Sequence, residues 1–146
     1  MKIKESEFPE GLHYHQEHAW ARIEAPERVI IGMNDFFQKQ AGEIVYVDLP
    51  FEDDEIKLGE TCGKIQSGKW VGKLVAPLSG VVVEVNSALE DDPSLINKSP
   101  YDQGWIAAIK PENLEAELGS LMSKEAEIVE WIDKELSKAE ELKSRG

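Results

Sequence analysis

Gly63-Lys64-Ile65-Gln66-Ser67-Gly68-Lys69-Trp70-Val71-Gly72-Lys73-Leu74-Val75-Ala76-Pro77-Leu78-Ser79-Gly80 is the stretch on which the reading of this chain turns. Ile65 on one side and the Leu74-Val75 pair on the other anchor two short strands, expected over residues 61–66 and 73–76. Ser67-Gly68 between them is a turn signal, because glycine accepts a left-handed φ without steric cost. Lys69 is therefore expected at or beside the tip of a hairpin. A lone surface lysine carries no chemical message, and Lys64 and Lys73 serve as internal controls. They fall on the flanking strands, where an amine is less accessible to an enzyme. What sets Lys69 apart is the order around it: strand, tight turn with lysine, strand, the connection Ala76-Pro77-Leu78-Ser79-Gly80, and a further strand over 81–85.

Working outward, the chain from residue 14 to 110 reads as one mainly β unit. Trp20-Ala21-Arg22-Ile23 and Arg28-Val29-Ile30-Ile31-Gly32 form a hairpin around Ala25-Pro26-Glu27. Asn34 or Asp35 caps a short helix through Gln40, with Gly42 where a terminating glycine belongs. Glu43 to Leu49 is a strand stopped by Pro50, and an acidic loop follows from Glu52 to Glu55. Asp92-Pro93-Ser94-Leu95 reads as one helical turn, with Asp92 as cap and Pro93 at its first position. Trp105 to Ile109 closes the strand set. A glycine-led strand recurs: Gly42-Glu43-Ile44-Val45-Tyr46-Val47-Asp48 precedes Glu52-Asp53-Asp54, and Gly80-Val81-Val82-Val83-Glu84-Val85-Asn86 precedes Glu90-Asp91-Asp92. Two half-sheets related by a pseudo-two-fold would put Lys69 near one end of the axis; the alternative is chance likeness between two hairpins.

Residues 1–13 have little periodicity and read as a loose N-terminal arm. From Pro111 the pattern becomes helical: Leu114, Leu118, Leu121, Met122, Ile128, Val129, Ile132 and Leu136 recur at helical spacing. Residues 111–146 thus read as a helical extension, with helices over 111–122 and 123–143. Trp131 beside Ile132 gives the second an apolar stripe that packs on the body or meets a partner.

Bulk properties narrow the function. The 146 residues suit one domain with a short appendage, and 41% apolar against 31% charged residues suits a soluble one. A net charge of −13 repels a phosphate backbone and an acidic membrane surface, so neither nucleic acid nor membrane is an expected partner. Such a charge either steers the chain to basic partners or only maintains solubility. No apolar run approaches the ~20 residues that cross a bilayer, and Met1 to Pro9 holds no apolar signal segment. With the single cysteine, Cys62, this points to the cytoplasm. Cys62 reads as a small buried filler. His13 and His15 share a strand face, but no cysteine or fourth histidine completes a metal site, so no metal is expected. Ser67-Gly68-Lys69 lacks the upstream glycine of a phosphate loop. No nucleophile and base are paired by pattern. No catalytic residue is expected.

The lysine-bearing turn resembles that of the lipoyl and biotinyl carriers, in which a modified lysine crowns a β-hairpin. Within that group, residues 12–111 resemble the glycine cleavage system H protein family. Tyr14-His15-Gln16-Glu17-His18-Ala19-Trp20 is similar to the family's opening His-x-Trp strand. Ile31-Gly32-Met33-Asn34-Asp35-Phe36 and Gln38 to Pro50 resemble its helix and following strand. Ala76-Pro77-Leu78-Ser79-Gly80 and Pro100-Tyr101-Asp102-Gln103-Gly104-Trp105 match its later signatures. The resemblance implies a hybrid barrel-sandwich fold and covalent lipoate on Lys69. It implies a non-catalytic shuttle that carries the aminomethyl group of glycine between glycine decarboxylase, aminomethyltransferase and dihydrolipoamide dehydrogenase, after a lipoate-attaching enzyme has loaded it. Acylation removes the amine's charge, and the lysine-plus-lipoyl arm reaches on the order of 15 Å by counting bonds.

The turn also departs from the family. Where the family has Glu-Ser-Val-Lys-Ala, this chain has Gln66-Ser67-Gly68-Lys69-Trp70. An acid is lost and a small residue becomes bulky Trp70, which either covers the root of the arm or closes the hairpin core. The Ser-Gly-Lys-Trp form is similar to H-protein-like lipoate-binding proteins of heterodisulfide-reductase-like sulfur oxidation, which makes that complex the alternative partner. An unmodified interaction scaffold is the further alternative.

Overall fold

The computed structural model describes residues 2–3, 5–68 and 71–145, with side chains described through Lys138. Eleven strands and five helices are assigned among these residues, and every strand pairing is antiparallel. Six strands make the larger sheet: β3 (His13–Tyr14), β4 (Ala19–Ala25), β5 (Arg28–Met33), β11 (Ala107–Pro111), β10 (Gly80–Val85) and β7 (Glu55–Ile56), neighbours in that order. A second sheet has the order β6 (Ile44–Asp48), β8 (Thr61–Ser67), β9 (Val71–Val75). A short N-terminal ribbon pairs β1 (Lys2–Ile3) with β2 (Ser6–Glu7).

Side chains alternate across a strand, and this sorts the apolar residues into two cores. Val29, Ile31 and Ile109 of the larger sheet meet Ile44, Ile65 and Leu74 of the smaller one. From the opposite face of the larger sheet, Trp20, Ile30 and Ala108 meet Phe8, Tyr14 and Trp131. The larger sheet is thus covered on both sides, which explains the unbroken apolar run Val29-Ile30-Ile31.

The hairpin around Pro26-Glu27 forms as expected, with Ala25 paired to Arg28. So does helix α1 (Asp35–Ala41): the Asn34 side chain accepts from the Phe37 N–H at 2.8 Å, and Gly42 closes the helix at φ 81°. Four local expectations are corrected. The N-terminal segment is not loose; Ile3, Phe8 and Leu12 are buried in the second core. The turn around Pro93 splits into α2 (Ala88–Asp91) and α3 (Leu95–Lys98), with Ser94 rather than Asp92 preceding α3. Asp92 instead closes α2, and its carboxylate takes the Ser94 hydroxyl. The first C-terminal helix shrinks to α4 (Leu114–Leu118), because Pro111 still pairs with Gly80 in the sheet and Met122 bridges back to Tyr14. Trp105 precedes the last strand, its carbonyl accepting from the Asn86 amide. Helix α5 (Glu125–Arg145) follows the expected span closely. No described helix is long and apolar enough to cross a membrane.

The two glycine-led strands lie in different sheets, β6 in the smaller and β10 in the larger. Their glycines also differ in role. Gly42 supplies a positive φ, whereas Gly80 lies so close to Lys110 that an added Cβ would sit 2.4 Å from its carbonyl oxygen.

Candidate functional site

Strands β8 and β9 form the hairpin that the sequence places around the candidate lysine. Their register runs Lys64↔Lys73, Ile65↔Gly72, Gln66↔Val71. Lys69 and Trp70 lie in the connection that follows and are outside the described residues. Their neighbours are described. Ser67 is buried, Gly68 is exposed, and Val71 is 62% exposed. A Cβ built on Gly68 meets nothing within 4 Å, and its φ is not positive. This corrects the reading of the turn: Gly68 does not use the freedom that only glycine has. Lys64 and Lys73 lie on the strands as expected, where they pair with each other, but both side chains are exposed, because each is on the outward face of its strand; this corrects the expectation that their amines are less accessible.

The strands are firmly based. Ile65 and Leu74 are fully buried in the main core. Beyond β9, the Ala76–Gly80 connection is clamped to α4, where Glu117 accepts from the Ser79 N–H at 2.8 Å and its hydroxyl at 2.7 Å. Ser79 Oγ in turn accepts from the Leu58 N–H at 2.9 Å.

Beside the hairpin strands runs a cleft of about 400 Å³ lined by Glu17, His18, Phe37, Thr61, Lys73 and Val75. His18 occupies its wall. Its ring stacks between Phe36 and Trp131, with centroids at 5.3 and 4.9 Å. The capping bond to Phe37 fixes the Asn34 amide, so its NH₂ faces His18 Nδ1 at 3.3 Å. Nδ1 therefore accepts, and the ring proton belongs on Nε2, which lies 3.5 Å from Glu135 on α5. This grouping of Asn34, His18, Trp131 and Glu135 was not legible from spacing; only the His-x-Trp signature marked His18.

The other candidates are placed as follows. His15 Nδ1 accepts from the Glu17 N–H at 3.0 Å, and burial lowers the pKa of both His13 and His15. Among the described residues, no group of three or more His, Cys, Asp or Glu is arranged to hold a metal. Cys62 is half-buried against the main core, and burial raises its thiol to about 11. It stays protonated at neutral pH and is a poor nucleophile.

Comparison with known proteins fits this geometry. The family model described as "Glycine cleavage H-protein" matches residues 12–135. A probable glycine cleavage system H protein of Thermococcus gammatolerans is 43% identical over 126 residues, covering 86% of this chain and 93% of that protein. The glycine cleavage system H protein of Anaeromyxobacter sp. (strain K) is 46% identical over 107 residues, covering 73% and 83%. The crystal structure of a glycine cleavage system H protein from Mycobacterium marinum superposes with a TM-score of 0.69 at 35% identity, covering 71% of this chain and 86% of that one. The expected barrel-sandwich architecture is borne out by that likeness and by the two antiparallel sheets. On the extent of these matches, the chain belongs to the glycine cleavage H-protein family.

Proposed function

We propose that this chain is a non-catalytic lipoyl carrier of glycine cleavage, and that Lys69 bears the lipoyl group. Family membership over residues 12–135 is the observation that carries the role. The choice of lysine rests on register: Lys64 and Lys73 are paired within β8 and β9, and Lys69 alone falls in the connection between them. The residues beside it fit a large substituent, with Gly68 and Val71 exposed and open space at Gly68.

When bound, lipoate supplies a dithiolane that accepts and releases an aminomethyl group and is reoxidised between turns. The chain's own work is positioning. A hairpin rooted by Ile65 and Leu74 fixes where the arm begins, while the arm itself sweeps on the order of 15 Å. Partner enzymes then find the cargo at a defined distance from a rigid base. Cys62, half-buried and protonated, does not compete for the dithiolane.

The partners on this reading are glycine decarboxylase, aminomethyltransferase and dihydrolipoamide dehydrogenase, in the reducing cytoplasm. Reconstituting these three with the lipoylated chain, glycine, tetrahydrofolate and NAD tests it. Glycine-dependent NADH formation is expected from the wild type and not from Lys69→Ala. A second reading keeps the arm and changes the partner to a heterodisulfide-reductase-like complex. It is favoured by Gly68 and Trp70 standing where the family has Val and Ala. That reading gains if the lipoylated chain gives no NADH with the glycine enzymes and instead binds the reductase-like complex.

A further inference from the structure

Residues 61–83 hold three lysines and no Asp or Glu, although the chain has 29 acids and a net charge of −13. This acid-free stretch contains β8 and β9, the two strands of the hairpin. Register puts two of its lysines directly opposite each other, Lys64 on β8 and Lys73 on β9, with both side chains exposed. Like charges so placed repel and cost stability. A chain this acidic could easily supply a counter-ion, yet among the described residues neither amine has a hydrogen bond or an ion pair. Lys39, Lys57, Lys98 and Lys134, by contrast, each lie within 3.6 Å of a carboxylate.

The surrounding charges are few. Asp48 extends the same row, paired in register with Lys64 across β6 and β8. Glu17 and His18 share a cleft with Lys73. Glu43 and Glu60 directly precede β6 and β8 in sequence. The next row on this face, Tyr46, Gln66 and Val71, is exposed and uncharged.

Two unmatched amines on a sheet face are complemented by carboxylates. The face is open, which suits carboxylates spread over a protein surface rather than one small anion. Two cations in a chain of net charge −13 are too few for a phosphate backbone. An acid-rimmed protein surface is repelled by most of this chain and accepted at this face, so the charge distribution also orients the encounter. Only the pairs Ile65↔Gly72 and Gln66↔Val71 separate the lysines from the connection between the strands. The orientation that satisfies the amines therefore brings the partner to the hairpin.

We infer that Lys64 and Lys73 form the docking face for the carboxylate-rimmed entrance of an enzyme that the arm serves. The inference rests on the carrier reading of this hairpin.

The test is glycine-dependent NADH formation by the reconstituted system, with the lipoylated full-length chain as the varied component and each of the three enzymes limiting in turn. Every variant is first lipoylated to completion, verified by intact mass, and its fold is checked by circular dichroism and thermal melting. With at least one enzyme limiting, Lys64→Glu combined with Lys73→Glu is expected to raise KM for the chain at least tenfold, with kcat within twofold. Lys64→Arg with Lys73→Arg keeps both charges and should stay within twofold of the wild-type KM. Added salt should narrow the gap between the Glu variant and wild type. Lys98→Glu with Lys134→Glu makes the same change in net charge at exposed sites elsewhere and should leave KM within twofold. A smaller rise with every enzyme, or none, overturns the inference while leaving the carrier reading intact. A fall in KM, which would mark a basic partner surface, overturns it as well. So does an equal rise in the Lys98 and Lys134 control, because net charge rather than this face would then decide. If the lipoylated wild type yields no NADH, the carrier reading itself fails and takes this inference with it.

Discussion

The carboxylate of Glu117 grips Ser79 at two points, taking its backbone N–H at 2.8 Å and its hydroxyl at 2.7 Å. This joins α4 to the connection that follows the lysine hairpin, and Ser79 passes the contact to Leu58. Ser79 is buried, so removing the carboxylate strands a polar group that water reaches poorly. Glu117→Ala is expected to cost about 1–3 kcal/mol. Urea unfolding checks the figure. Glu117→Gln, which keeps one acceptor, should lose less than Glu117→Ala.

Helix α5 is held to the body partly through His18 and Glu135. The hydrogen bond from His18 lowers the Glu135 pKa below its ordinary value of 4.5. A carboxyl held lower in the folded than in the unfolded state contributes stability that is full above 4.5 and is lost as pH falls through the folded value. Stability measured between pH 7 and pH 3 should therefore decline on its acid side, with a shallower decline in Glu135→Gln. Equal acid limbs in the two proteins would remove this contact from the causes of acid unfolding.

Glycines in the hairpin make opposite predictions. A Cβ at Gly63 would sit 2.4 Å from the backbone oxygen of Asp48, where nothing flexible can yield. Gly63→Ala is expected to lower stability by about 1–3 kcal/mol through overpacking. At Gly68 the space is open and φ is ordinary, so Gly68→Ala is expected to be neutral or to add about 0.4–1 kcal/mol by restricting the unfolded chain. Thermal melting of the two single variants separates them.

Local chemistry made much of this fold legible in advance. Asn34 and Gly42 bound α1 because a side-chain acceptor and a positive-φ glycine are strong punctuation. The hairpin over β8 and β9 followed from the anchors Ile65 and Leu74-Val75 on either side of the Ser67-Gly68 turn signal. What escaped depends on distant partners. Nothing in residues 1–13 announces that Phe8 is fully buried, because its neighbours Tyr14 and Trp131 come from elsewhere in the chain. Helical spacing extended the first C-terminal helix to Met122, yet Met122 bonds its backbone to Tyr14 instead. The bulge at Val45 leaves no mark in the strand's composition, so the exposed pair Val45-Tyr46 emerges only from register. Lys69 was singled out by the order of elements around it and by resemblance, and the described strands frame that position without describing it.

The most direct measurement is tandem mass spectrometry of the full-length chain produced with an active lipoylation pathway. A single lipoyl adduct on the peptide containing Lys69 is predicted, with Lys64 and Lys73 unmodified. A chain that stays unmodified, or carries its adduct on Lys64 or Lys73, would contradict the assignment of Lys69 as the carrier lysine.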